Sequence, residues 1–159
     1  SNWSPLGSGL SDGVECHVRS IAIDDNGDIY VGGYFNTAGG VSANNIARWD
    51  GINWYPLGSG IDYGIYALVV DGDILYAGGY FTVAGGVSAN HIAKWNGSNW
   101  SSLGSGVNYE ARALAVNDGE VYVGGQFLTA GSKPSYYIAK WSGENFIDIY
   151  LPLILRNAQ

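Results

Sequence analysis

An all-β protein made of three tandem, four-stranded antiparallel repeats is what this sequence predicts, on three observations. First, Gly32-Gly33-Tyr34-Phe35 returns 46 residues later as Gly78-Gly79-Tyr80-Phe81, and 46 later again as Gly124-Gly125-Gln126-Phe127. Ile-Ala-Arg-Trp at 46–49 returns at the same interval as Ile-Ala-Lys-Trp at 92–95 and 138–141. Second, Asx-Gly or Ser-Gly pairs (Asn26-Gly27, Asp71-Gly72, Asp118-Gly119; Asp50-Gly51, Asn96-Gly97, Ser142-Gly143) separate short apolar runs. Such pairs tolerate positive φ and are the strongest short-range hairpin signal. Third, no repeat shows a helical 3.6-residue period.

Each repeat reads as four strands. The first is expected at 67–70 and 113–116, and the second at 29–35 and its copies. A glycine-bearing loop follows (38–41, 84–87, 130–132), then a third strand ending in Ala-Arg/Lys-Trp and a fourth beginning Asn-Trp. Four antiparallel strands in about 46 residues, in tandem, make the unit of a β-propeller blade. Asn-Trp-x-x-Leu-Gly-Ser-Gly occurs at 2–9, 53–60 and 99–106, and its first interval is 51 rather than 46. The five extra residues are expected around 11–17 and in the turn at 24–27. Residues 1–145 therefore form the three-repeat region, opening on an orphan fourth strand at 2–9, and residues 146–159 form an apolar C-terminal tail.

The pattern Gly-Gly-x-Phe-x-x-Ala-Gly-Gly-Val-x-Ala-Asn-x-Ile-Ala-Arg/Lys-Trp-Asx-Gly resembles the delta-60 type of repeat. It also resembles the propeller repeats of fungal cortical polarity-marker proteins and, more distantly, kelch repeats. The third copy departs from it, with Gly131-Ser132-Lys133-Pro134-Ser135-Tyr136-Tyr137 in place of the Gly-Gly-Val-x-Ala-Asn loop. The resemblance implies secreted or cell-surface proteins built of propeller blades, with no shared catalytic residues to carry over.

Three repeats are too few for the usual ring of four to eight blades. Either the chain is a piece of a longer propeller, or copies complete one another as a homo-oligomer or filament. It starts at Ser1 without Met, as a processed or excised form would. From 146 to 155, eight of ten residues are apolar: Phe146, Ile147, Ile149, Tyr150, Leu151, Leu153, Ile154 and Leu155. Ten residues do not span a bilayer. Exposed, they would aggregate, so the tail is expected either to pack on its own repeat or to be donated as a strand to a neighbour.

Charge narrows the partners. The net charge of −7 excludes a nucleic-acid surface, which needs Lys and Arg facing phosphates. It equally disfavours anionic membranes, and no apolar run is long enough to insert. The single cysteine, Cys16, allows no internal disulfide.

Few residues are candidates for chemistry. Asp24-Asp25-Asn26-Gly27-Asp28 looks like a calcium loop but has no distal Glu, and it reads as a turn. His17 and His91 have no ligand-spaced partners and read as loop or surface residues, so no metal or cofactor is expected. No nucleophile elbow occurs; Gly-Ser-Gly at 7–9 is a repeated structural element. Arg48, Lys94 and Lys140 share one repeat position and read as partners of nearby Asp. Trp49, Trp95 and Trp141 read as packing between repeats or, alternatively, as sugar-stacking platforms. Tyr34 and Tyr80, with Gln126 at the same position, are candidates to line a ligand-stacking face. The expectation is a non-enzymatic extracellular structural or assembly module that self-assembles through its terminal strands. The alternative is a carbohydrate- or protein-binding, lectin-like segment of a larger propeller.

Overall fold

The computed structural model describes residues 1–13 and 15–143. In the first repeat the strands are β1 (Leu10–Ser11), β2 (His17–Ile23), β3 (Ile29–Tyr34), β4 (Thr37–Ala38), β5 (Val41–Ser42), β6 (Ile46–Trp49) and β7 (Trp54–Pro56). The second holds β8 (Ile65–Asp71), β9 (Ile74–Gly79), β10 (Val83–Ala84), β11 (Val87–Ser88), β12 (Ile92–Trp95) and β13 (Trp100–Ser102). The third holds β14 (Ala111–Asn117), β15 (Glu120–Gly125), β16 (Thr129–Ala130), β17 (Lys133–Pro134) and β18 (Ile138–Trp141).

The chain is all-β as expected, with antiparallel sheets and no helix among the described residues. Two sheets have four strands, in the orders β2-β3-β6-β7 and β8-β9-β12-β13. The third has β14-β15-β18 among the described residues. The glycine-bearing loops are two-stranded hairpins, and the divergent third loop still closes, with Ala130 opposite Lys133. Residues 2–9, expected as an orphan strand, are not in one. Only the end of that segment is anchored: Gly9 N–H donates to Leu6 O at 3.1 Å, and Gly39 N–H to Gly9 O at 2.7 Å. Trp3 is fully exposed.

The first strand of each sheet starts earlier than the apolar runs predict, because it holds a bulge. Ile65 pairs with Gly79 but Ala67 with Gly78, so Tyr66 is extra; Arg19 and Arg112 are extra in the same place. This explains the Gly-Gly pair. A Cβ on Gly79 would run into the carbonyl of Gly64 across the bulge, and one on Gly32 would sit 2.7 Å from Ile65 Cγ2 in the next sheet. One glycine admits the bulge and the other admits the neighbouring sheet. The five extra residues of the first repeat divide as expected. Four lie between Leu10 and Val18, whose counterparts are Ile61 and Ile65, and one lies in the turn before Ile29.

The core sits between sheets. Phe35, Phe81 and Phe127, at one repeat position, are buried, and β2, β8 and β14 pack side by side. Trp54 and Trp100 close the opposite side of their sheets. Each is buried and donates Nε1–H to a carbonyl of the preceding repeated turn, Leu6 O at 3.0 Å and Leu57 O at 2.9 Å. The Ala-Asn of the motif adds further staples: Asn44 Nδ2 donates to Ser59 O and Asn90 Nδ2 to Ser105 O, both at 3.0 Å.

Candidate functional site

Two repeated positions meet on one surface. Tyr34 and Tyr80 follow the Gly-Gly pairs, and Tyr80 N–H donates to Gly64 O across the bulge at 3.0 Å. Tyr63 and Tyr109 enter β8 and β14 just after an Asx clamp. Asp62 Oδ1 accepts from Thr82 and Val83 N–H at 3.0 Å, and Asn108 Oδ1 from Leu128 and Thr129 N–H at 2.8 and 2.9 Å. Hairpins β10–β11 and β16–β17 thus hold the turns that carry Tyr63 and Tyr109, and the bulge of the second sheet holds Tyr80.

The rings form a row: Tyr34 to Tyr63 at 6.3 Å, Tyr63 to Tyr80 at 5.6 Å, and Tyr80 to Tyr109 at 5.6 Å between centroids. All three contacts are edge-on, with interplanar angles of 65°, 86° and 70°. His17 extends the row by stacking on Tyr34 at 6.0 Å. Each of the four tyrosines keeps between 39% and 52% of its surface exposed. The bulge residues run alongside, with the guanidinium carbons of Arg19 and Arg112 at 4.9 and 5.4 Å from the Tyr66 ring. Burial first, and the Glu110 carboxylate second, push the Tyr66 phenol up, so it stays neutral.

His91 stacks on Tyr80 at 5.7 Å and is only 9% exposed, so it is a buried loop residue rather than a surface one. Its Nδ1 has no hydrogen-bond partner among the described residues. Burial pushes the imidazole down from its ordinary value, against the Gly79 backbone and the carboxylates of Glu110 and Asp62, which favour the proton. The ring is therefore neutral at pH 7. Asp62, Tyr63, Tyr80, Thr82, His91 and Tyr109 surround a cavity of about 290 Å³.

Of the residues singled out in the sequence, Tyr34 and Tyr80 are brought into this row. Trp49, Trp95 and Trp141 are not: Trp49 is buried 5.2 Å from the Trp54 ring, Trp95 is half-buried 5.5 Å from Trp100, and Trp141 is half-buried by the turn at Gly104. The tail residues Phe146, Ile147, Ile149, Tyr150, Leu151, Leu153, Ile154 and Leu155 lie outside the described residues. Arg48 pairs with Asp28 at 2.7 Å and Lys140 with Glu120 at 2.7 Å, whereas Ile74 stands at the matching place beside Lys94. Asp24 closes a turn, its Oδ1 accepting from Asn26 and Asp28 N–H at 2.9 and 3.0 Å. No group of three or more metal-ligating side chains occurs among the described residues. Sequence reasoning missed Tyr63, Tyr109 and His91. The 46-residue recurrence of the two tyrosines was a usable signal, but nothing local to His91 marks its burial.

A family model for a beta-propeller domain of unknown function, DUF5122, matches residues 25–49. That match supports a β-propeller-type repeat family and does not single out the delta-60 or kelch type. No curated protein matches the chain. Among solved structures, the crystal structure of the computationally designed Ika4 protein is similar at 16% identity, over 88% of this chain and 98% of that one, with a TM-score of 0.37.

Proposed function

We propose that this chain is a non-enzymatic carbohydrate-binding segment of a secreted or cell-surface β-propeller-type protein, holding neutral glycans on its tyrosine row. The observation that carries the reading is the contiguous, exposed set Tyr34, Tyr63, Tyr80 and Tyr109, whose rings meet edge-on. Single exposed aromatics are ordinary, but a contiguous row marks an interaction surface. A pyranose lays its C–H face on such rings and turns its hydroxyls to a polar rim. Charge selects the class of glycan. The net −7 opposes polyanions. Cations find no idle carboxylate at the row either, since Asp62 holds the Thr82 and Val83 backbone and Glu110 pairs with Arg112. In this reading the three sheets are blades, the third completed by a fourth strand from residues 145–151.

Depletion of the protein by insoluble cellulose, chitin, mannan and β-glucan tests the reading. The expected outcome is retention on at least one of them, weakened about tenfold or more in Tyr63→Ala/Tyr109→Ala, two platforms being lost. A wild type that none of them retains sinks it.

A second reading rests on a separate observation. Among the described residues the third sheet carries no strand beyond β18, where the other two carry strands headed by Trp54 or Trp100, and a groove of about 270 Å³ lined by Leu103, Val107, Val123 and Trp141 lies there. A fourth strand donated by a neighbouring subunit would fill it, making the chain an assembly module. Phe146 stands at the Trp100 position of the repeat. Removing residues 147–159 is then expected to abolish assembly in size-exclusion chromatography; unchanged assembly removes this reading.

A further inference from the structure

Residue 91 differs from its counterparts in a way that points to a ligand. Asn45, His91 and Tyr137 occupy one repeat position and share a left-handed backbone, with φ of 63°, 63° and 71°. Asn and His both adopt that conformation readily. Asn45 uses it fully: its Oδ1 accepts from Phe35 N–H at 3.2 Å and its Nδ2 donates to Ile61 O at 2.9 Å. Tyr137 is exposed. Among the described residues only the second repeat leaves a buried side-chain polar atom, His91 Nδ1, without a partner, and His91 lines the cavity together with Tyr63, Tyr80 and Tyr109. A buried unpaired nitrogen costs free energy unless water or a ligand supplies its partner.

We infer that this cavity is a single-sugar subsite, in which one hydroxyl of a neutral pyranose hydrogen-bonds His91 Nδ1 while the ring lies against Tyr80 and its neighbours. The inference rests on the tyrosine row being a glycan platform, and it names where that platform gains selectivity. Three features set the ligand class. The volume, about 290 Å³, is at the lower limit for small-molecule pockets and suits one ring rather than a chain. A hydroxyl both donates and accepts, so it satisfies Nδ1 in either imidazole tautomer. The Asp62 carboxylate acts on the same imidazole, so an anionic sugar would be repelled there, while the Glu110 carboxylate is already paired with Arg112.

The test follows the imidazole nitrogens of the full chain by long-range ¹⁵N–¹H NMR during titration with methyl glucoside, methyl galactoside, methyl mannoside and N-acetylglucosamine. The Nδ1 resonance is expected to shift saturably with at least one of them. His91→Asn keeps the fold, because Asn45 already shows that residue at this position, and it is expected to weaken binding of that sugar about 3- to 10-fold, the worth of one hydrogen bond. If no sugar moves Nδ1, the nitrogen is satisfied by water and the subsite is wrong. If His91→Asn binds polysaccharide and sugar as the wild type does while Tyr63→Ala/Tyr109→Ala binds neither, the row stands and the subsite falls. If the wild type binds no glycan at all, both fall.

Discussion

The tryptophans and the tyrosines recur with the same period, yet the fold puts them to opposite uses. Trp54 and Trp100 are buried, lie against Trp49 and Trp95, and have their indole N–H groups bonded to the preceding turn. Tyr34, Tyr63, Tyr80 and Tyr109 meet edge-on in solvent. Recurrence at 46 residues therefore marks a position in the repeat and says nothing of its burial. Local backbone decides that. Gly39 and Gly85 leave room for an indole, since a Cβ on them would come within 2.6 and 2.5 Å of the Trp54 and Trp100 Cδ1 atoms. The bulge and the Asx clamp instead lift the tyrosines out at the sheet end.

The largest effect that breaks this contrast belongs to the tryptophans. Trp100→Ala removes a buried indole and strands the Leu57 carbonyl, so it is expected to cost about 3–5 kcal/mol in urea unfolding. A loss below about 1 kcal/mol would mean that the indole is not holding the two repeats together. Gly79→Ala comes next. Its Cβ must displace the Gly64 backbone, and overpacking of this kind costs about 1–3 kcal/mol. Because Tyr80 hangs from the same bulge, glycan retention is expected to fall along with stability. Tyr63→Ala sharpens the contrast from the other side. It removes a half-exposed ring, so stability is expected to change by only about 0.5 kcal/mol while glycan binding drops several-fold. Equal losses of stability and binding would make the row a packing feature like the tryptophans.

Much of the fold was legible in advance because its signals are local. The Asx-Gly turns sit where the hairpins turn: Asp71 and Ile74 close one, Asn117 and Glu120 another. Other features depend on what lies across a sheet or a gap. The bulge at Tyr66 leaves its trace only in the Gly-Gly opposite, which reads equally well as a turn. Residues 2–9 match a fourth strand in sequence, but a strand needs a partner ladder, and none lies beside them among the described residues. The candidate site was half legible. Tyr34 and Tyr80 stood out by their motif, whereas Tyr63 and Tyr109 join them only because the turns just before β8 and β14 run past the end of the neighbouring sheet's second strand.

The smallest effect concerns His91 and is read through pH. Burial holds its folded pKa below the ordinary histidine value, about 6.5. The unfolded chain therefore takes up a proton near pH 6.5 that the folded chain refuses. Stability contributed by this residue is fully present above that value and is lost as pH falls through 6.5 toward the folded pKa, with a slope no steeper than about 1.4 kcal/mol per pH unit for one proton. Asp62, Glu110 with its partner Arg112, Tyr80 and Tyr109 face the ring, and the two carboxylates moderate the effect by favouring the imidazolium. Other groups titrate as well, so the informative quantity is a difference: wild type against His91→Asn, unfolded in urea from pH 7.5 to 5.0. The variant is expected to show the flatter profile, because asparagine carries no proton through this range and makes its own hydrogen bonds at this backbone position. Parallel profiles would mean that the imidazole takes its proton as easily folded as unfolded, and that its nitrogen is open to water rather than kept for a ligand.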